Sequence, residues 1–208
     1  MGQIKAVIYD CDGVIVNSDN AIISYYSWLA EKSGVEIPDW SDENFKKIVL
    51  SYTEDGIVDV ISKGNQEIKE RIYNVIKNST YSAGFEDIIL EDTLPAALDL
   101  LKEKGIFMAV DTNRGRSLSD LLTYFNIREY FSCLITSRDV ENPKPSPEGV
   151  YKICDYYKIE PKEVLFLGDS MTDYHAAKQS GAFFLSYRKH LHNAPIINDH
   201  KDIIKYLY

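Results

Sequence analysis

The 208-residue chain has few cysteines, no basic tract and no long apolar run. Its three cysteines, Cys11, Cys133 and Cys154, are odd in number and far apart, which excludes a disulfide framework and metal-finger spacing. A reducing cytoplasm is the compartment this usage indicates. No stretch approaches the length of a membrane span, and the amino terminus shows no basic leader or small-residue cleavage site, so a soluble, intracellular chain is expected. Lys plus Arg number 23 against 32 for Asp plus Glu, a net charge of −9. Without a Lys/Arg-rich cluster, that balance argues against nucleic acid or an anionic membrane as partner. Internal repeats and low-complexity tracts are also missing. What remains, 45% hydrophobic and 26% charged, is an ordinary globular composition with length enough for a proper core.

What is present begins at Ile4. The run IKAVIY is β-rich and nearly continuously apolar, as a strand buried on both faces should be, and it leads into Asp10, Cys11, Asp12 and Gly13. Residues two apart on a strand share a side, so Asp10 and Asp12 are expected to face one pocket. Two acids held so close resist joint ionisation unless a cation or a proton relieves them. The pair suits a metal-assisted reaction in which one acid attacks and the other handles a proton.

From Asp19 the period becomes helical, with Ile22, Ile23, Tyr26, Leu29 and Ala30 on one face and Gly34 as the stop. Further helices are expected over 42–50, around 57–61 and over 66–77, so residues 19 to 85 read as entirely helical. This stretch is rich in tyrosine and holds Trp28 and Trp40, read here as helix packing with a smaller chance of lining a substrate cavity. Afterwards strands and helices alternate. Thr93 is placed to cap a helix with Leu94, Ala97, Leu98 and Leu101 as its stripe. Strands are expected over 106–110, 133–136, 164–170 and 182–186, separated by helices and followed by a closing helix over 199–207. Such alternation implies right-handed crossovers and a parallel sheet covered on both faces. The expected architecture is therefore α/β and Rossmann-like, with a core of residues 1–18 and 86–208. A small all-helical cap, 19–85, is inserted after the first strand, with hinges near 17–20 and 82–86.

In open parallel sheets ligands bind beyond the carboxyl ends of the strands. Four polar clusters fall there: Asp10 with Asp12, Thr112 with Asn113, Lys144, and Asp169 with Asp173. The ordered set DCDGVIVNS, DTNR, NPKPSP and GDSMTD resembles the four motifs of the haloacid dehalogenase superfamily. More narrowly it resembles the helical-cap branch that holds phosphoglycolate phosphatase-like and β-phosphoglucomutase-like enzymes. Any one motif is weak; four in order, each at a strand end, are specific.

The resemblance implies a role for each matching residue. Asp10 corresponds to the nucleophile that takes the phosphoryl group, and Asp12 to the general acid/base. The main-chain oxygen of Asp12, with the carboxylates of Asp10 and Asp169, would hold Mg²⁺, and Asp173 would orient a water or Lys144 from behind. Thr112, Asn113 and Lys144 would bind phosphoryl oxygens, with Lys144 also opposing the charge of the nucleophile. The implied activity is Mg²⁺-dependent hydrolysis of a small phosphorylated metabolite. A sugar phosphomutase is the alternative. A dehalogenase is disfavoured by the presence of Asp12, and a non-catalytic module by the complete acidic set.

Charge counting argues separately for the metal. Asp10, Asp169 and Asp173 against Lys144 leave two negative charges, which one divalent cation neutralises if Asp12 stays protonated. Asp111 stands where a small or apolar residue is commoner in the family. It is expected to pair with Arg114 or Arg116 or to cap the next helix, and if it faces the pocket the count fails by one. Arg114 either reaches a substrate anion, such as a carboxylate, or is exposed. Cys11 is read as core and His175 as surface or a supporting residue. The substrate and the oligomeric state are not legible.

Overall fold

The computed structural model describes residues 3–78, 85–115 and 117–208, without the side chains of residues 47, 48, 50 and 51. Contacts divide the chain into two units, Met1–Asn17 with Leu90–Tyr208, and Ser18–Ile89. In chain order the elements begin with strand β1 (Ala6–Tyr9) and the helices α1 (Asp19–Lys32), α2 (Glu43–Ser51), α3 (Glu54–Ile61) and α4 (Gln66–Asn78). There follow α5 (Leu94–Glu103), β2 (Phe107–Asp111), α6 (Leu118–Tyr124), β3 (Cys133–Ile135) and α7 (Glu148–Tyr157). The chain closes with β4 (Val164–Gly168), α8 (Met171–Ser180), β5 (Phe183–Tyr187), β6 (Ile196–Ile197) and a 3₁₀ helix over His200–Tyr206. Of the second expected hinge, residues 82–84 lie outside the described residues.

The first unit is a six-stranded sheet in the order β3-β2-β1-β4-β5-β6, parallel throughout. β1 is central, with Ala6 to Tyr9 in register with Phe107 to Val110 on one side and Val164 to Leu167 on the other. Every residue of β1 is fully buried, as its unbroken apolar run requires. One core packs Ala6, Ile8, Ala109 and Phe166 of the sheet against Val150, Ile153 and Ala177 of α7 and α8. On α5, Leu94, Ala97, Leu98 and Leu101 are buried at helical spacing.

Two local expectations are corrected here. Thr93 does not cap α5: its backbone is already helical and its hydroxyl meets the ring of His200 instead. The closing segment is a 3₁₀ helix, and it is preceded by the edge strand β6, whose two residues are too few to show any period.

The second unit has its own core of Tyr26, Leu29, Val49, Ile57, Val58, Ile61 and Ile72. Thr53 caps α3 by accepting from the Gly56 N–H at 3.2 Å. Trp28 stacks on Tyr25, Trp40 lies against Phe45, and the Trp40 indole donates to Ser27 Oγ at 2.7 Å. These rings pack within the helical unit.

Candidate active site

Three adjacent strands deliver their ends to one place. β1 hands on to Asp10, β2 ends in Asp111 and hands on to Thr112, and β4 hands on to Asp169. The strand order reverses at β1, where an open α/β sheet leaves a crevice for ligand. The loop between β3 and α7 adds Lys144.

Lys144 is the hub. Its Nζ lies 2.8 Å from Asp10 Oδ1 and 2.5 Å from Asp173 Oδ1, with the Phe166 ring 5.5 Å away. Burial works against its charge, yet Asp10 and Asp173 outweigh burial and hold the ammonium well above the usual lysine range. The loop is tethered by Asn113, whose Nδ2 donates to the Lys144 carbonyl at 3.1 Å. Asp10 Oδ1 also accepts the Cys11 N–H at 2.7 Å. Among the described residues both bonds to this carboxylate go to Oδ1. Burial and then the neighbouring Asp173 push the Asp10 carboxyl well above its ordinary value.

Asp173 is fully engaged. Its Oδ2 accepts from the Ser170 hydroxyl at 2.6 Å, the Ser170 N–H at 3.0 Å and the Asp169 N–H at 3.2 Å, closing a reciprocal cap on α8. It therefore aims Lys144 and fixes the Asp169 backbone together. Asp169 is pushed up to about 6, chiefly by burial, with Lys189 opposing from 2.5 Å. Its carboxylate lies so close to Gly13 that a Cβ there would fall 2.2 Å from Oδ2, and Gly13 also has φ +83. Only glycine fits at that turn.

Asp10, Asp169 and Asp173 each present an oxygen within 4.8 Å of the others. Since Asp173 is already saturated by protein donors, Asp10 and Asp169 have the capacity left for a hard divalent cation. The donor set fits such an ion.

Thr112 is buried; its N–H bonds the Ile135 carbonyl at 3.0 Å, and its Oγ accepts the Arg114 N–H at 3.1 Å. Arg114 does not pair with Asp111, nor is it a solvent-exposed arginine. It forks onto Asp12, Nε to Oδ2 at 3.0 Å and Nη2 to Oδ1 at 2.5 Å. Asp111 turns instead toward the start of α7, where a Cβ on Gly149 would meet its Oδ1 at 2.4 Å. Its Oδ2 has no hydrogen-bond partner among the described residues, and burial pushes its carboxyl up to about 6. It caps no helix among the described residues, and Arg116 lies outside them. The expected charge balance changes accordingly. Asp10, Asp12, Asp111, Asp169 and Asp173 meet Lys144, Arg114 and Lys189, so five acids against three bases again leave two negative charges when all are ionised.

Cys11 is buried, with its thiol pushed up by burial, and His175 is exposed. Two residues escaped sequence reasoning. Lys189 lies just past the end of β5, and the strand-end rule that found the acids points to it equally. His200 gave no signal, because its neighbours come together only in the fold. Its ring bonds the Thr93 hydroxyl at 2.7 Å and the Val14 carbonyl at 2.9 Å, within the turn that follows Asp12.

A family model described as haloacid dehalogenase-like hydrolase matches residues 7–186. A phosphoglycolate phosphatase of Haemophilus influenzae is 30% identical, over 96% of this chain and 93% of its own. A putative pyrophosphatase of Caldanaerobacter subterraneus is 30% identical over 86% of this chain and 79% of its own. Among solved structures, a haloacid dehalogenase-superfamily hydrolase from Geobacter sulfurreducens superposes with a TM-score of 0.83 at 33% identity, covering 98% of this chain and 100% of that one.

Proposed function

This chain belongs to the haloacid dehalogenase-like hydrolase family and is a phosphatase, and from that premise we propose that it hydrolyses small phosphorylated metabolites with Mg²⁺ through a phosphoryl group carried on Asp10. The observation that carries this reading is Lys144, which engages Asp10 Oδ1 at 2.8 Å and leaves the other oxygen to attack. Asp10 Oδ2 forms a bond to phosphorus as the ester P–O bond breaks, and Asp12 gives the departing oxygen a proton. Asp12 then takes a proton from water as that water attacks the phosphoryl group, which leaves as inorganic phosphate and restores Asp10. Thr112 and Asn113 hold phosphoryl oxygens, while Lys144 opposes charge on both nucleophile and phosphate. Asp10, Asp169 and the main-chain oxygen of Asp12 would hold a divalent ion, which would supply the neutralisation that a phosphate dianion needs among these acids. Asp173 acts through Lys144 and the Asp169 backbone. The helical segment 19–85 is assigned the role of a cap that selects substrate and limits water during turnover.

The test is phosphate release from an aryl phosphate with Mg²⁺. Asp10→Asn is expected to lower the rate by about 10³-fold or more, since the nucleophile is lost. Turnover that survives in this variant rules out the covalent route. A sugar phosphate isomerised without phosphate release moves the chain to the phosphomutases.

A further inference from the structure

The helical unit holds a cavity of about 460 Å³ that the proposed hydrolysis does not use, built wholly from residues between 34 and 68. Its walls are Val35, Ile37 and Pro38 from the link after α1, Phe45 of α2, Ile61 at the end of α3 and Ile68 of α4. Apolar walls around such a volume suit a small molecule. Ile37 is still 49% exposed, apolar surface that an occupant would withdraw from water. Charge is gathered at the same cavity, in Glu36, Asp39 and Lys63. Lys63 Nζ and Glu36 Oε2 stand 3.7 Å apart, too far for a good hydrogen bond, and both side chains are more than four-fifths exposed. An exposed pair of this kind is worth little and parts readily. Asp39 Oδ1 accepts both the Ser41 N–H at 2.9 Å and the Ser41 hydroxyl at 2.7 Å. The carboxyl ends of α1 and α3 reach the cavity at Gly34 and Ile61 and add partial negative charge. The amino end of α4 is met by Asn65, whose Oδ1 accepts the Ile68 N–H at 3.1 Å.

We propose that this cavity binds a free α-amino acid with an apolar side chain. The walls take the side chain, Glu36, Asp39 and the two helix ends take the ammonium, and Lys63 takes the carboxylate. In such a ligand the ammonium and the carboxylate share one carbon, so the two enter together where Glu36 and Lys63 already stand side by side. The weak contact between that pair gives way to one contact for each. An anion alone would meet two acids and two helix ends, and a cation alone would stand beside Lys63 with nothing to offer it. A peptide carries its two terminal charges at opposite ends and cannot present both here.

Equilibrium dialysis with L-phenylalanine measures the affinity, and competition ranks three relatives that each lack one feature. L-Phenylalaninamide has no carboxylate, 3-phenylpropionate no ammonium and L-serine no apolar body. L-Phenylalanine is expected to bind about threefold or more tightly than the amide or 3-phenylpropionate, which is what one exposed charge contact adds, and roughly tenfold or more tightly than L-serine. Lys63 has φ +51, a conformation that glycine adopts freely, so Lys63→Gly removes the ammonium without straining the turn. This variant is expected to lose the preference over the amide, and Glu36→Gln to lower the preference over 3-phenylpropionate. Absence of saturable L-phenylalanine binding by the wild type overturns the proposal, as do equal affinities for all four compounds or preferences that both variants leave unchanged. Phosphate release plays no part in the measurement, so the hydrolase reading stands or falls separately.

Discussion

Asp111 sits where a negative charge is unwelcome, buried beside Gly149 with one oxygen lacking a partner among the described residues. Its carboxyl titrates near 6 in the fold against an ordinary value of 3.8, so the folded chain holds this proton more tightly than the unfolded one. Its stabilising effect is complete below about pH 3.8 and is lost as pH rises through 6, an effect on the order of 3 kcal/mol. Asp111→Asn is therefore expected to melt several degrees above the wild type at pH 8, with the gap narrowed to about half at pH 5. Thermal scans at the two pH values check this, and equal gaps at both would contradict it. The sequence shows that Asp111 ends a strand near Lys144, and the acids around Lys144 were legible in the same way. Where Arg114 would reach was not legible, because a side chain with four rotatable bonds chooses its partner only once Asp12, Ser117 and Thr112 have been placed.

At the scale of elements, the 3₁₀ helix that begins at His200 does more than close the chain. A carbonyl can only accept, so His200 Nε2 must carry the proton donated to Val14, and Nδ1 must accept from the Thr93 hydroxyl. That hydroxyl in turn accepts the His200 N–H at 3.3 Å, and Glu91 N–H bonds the neighbouring Ile15 carbonyl at 3.0 Å. The turn after Asp12 is thus held by two distant segments. Burial pushes the His200 ring down to about 4 from 6.5. Between those values the unfolded chain takes up a proton that the folded ring refuses, so stability falls as pH drops from 6.5 to 4, by about 3 kcal/mol at most. Urea midpoints at pH 7 and 4.5 are expected to separate less in His200→Gln than in the wild type. Helical periodicity revealed α1, α3 and α4 because their buried and half-buried positions repeat every three or four residues. It was silent on β6 and misread the last helix, since two residues or a tight 3₁₀ turn carry no such repeat.

For the whole molecule, five of the six parallel strands and the interrupted alternation were readable because parallel strands buried on both faces leave continuous apolar runs, whereas the order of the strands was not expected from the sequence. The two units are joined at Asn17–Ser18 and Ile89–Leu90, and the Ile15–Glu91 hydrogen bond shows that the sheet unit brings its two ends together by itself. Replacing residues 18–89 by a short Gly/Ser linker is expected to give a soluble protein with a single cooperative melt in circular dichroism. A variant that shows secondary structure but no cooperative transition would mean that the sheet unit depends on the helices to fold.

The place of β1 at the centre of the sheet has a consequence for synthesis. It is made before every other strand of the sheet, yet Ala6 must wait for Phe107 and then for Val164 before both edges are covered. Until then a bare hydrophobic ribbon stays open to any neighbouring nascent chain, while the helices made next need only local contacts to settle. The strand that leads into Asp10 is thus the one that waits longest for its two neighbours.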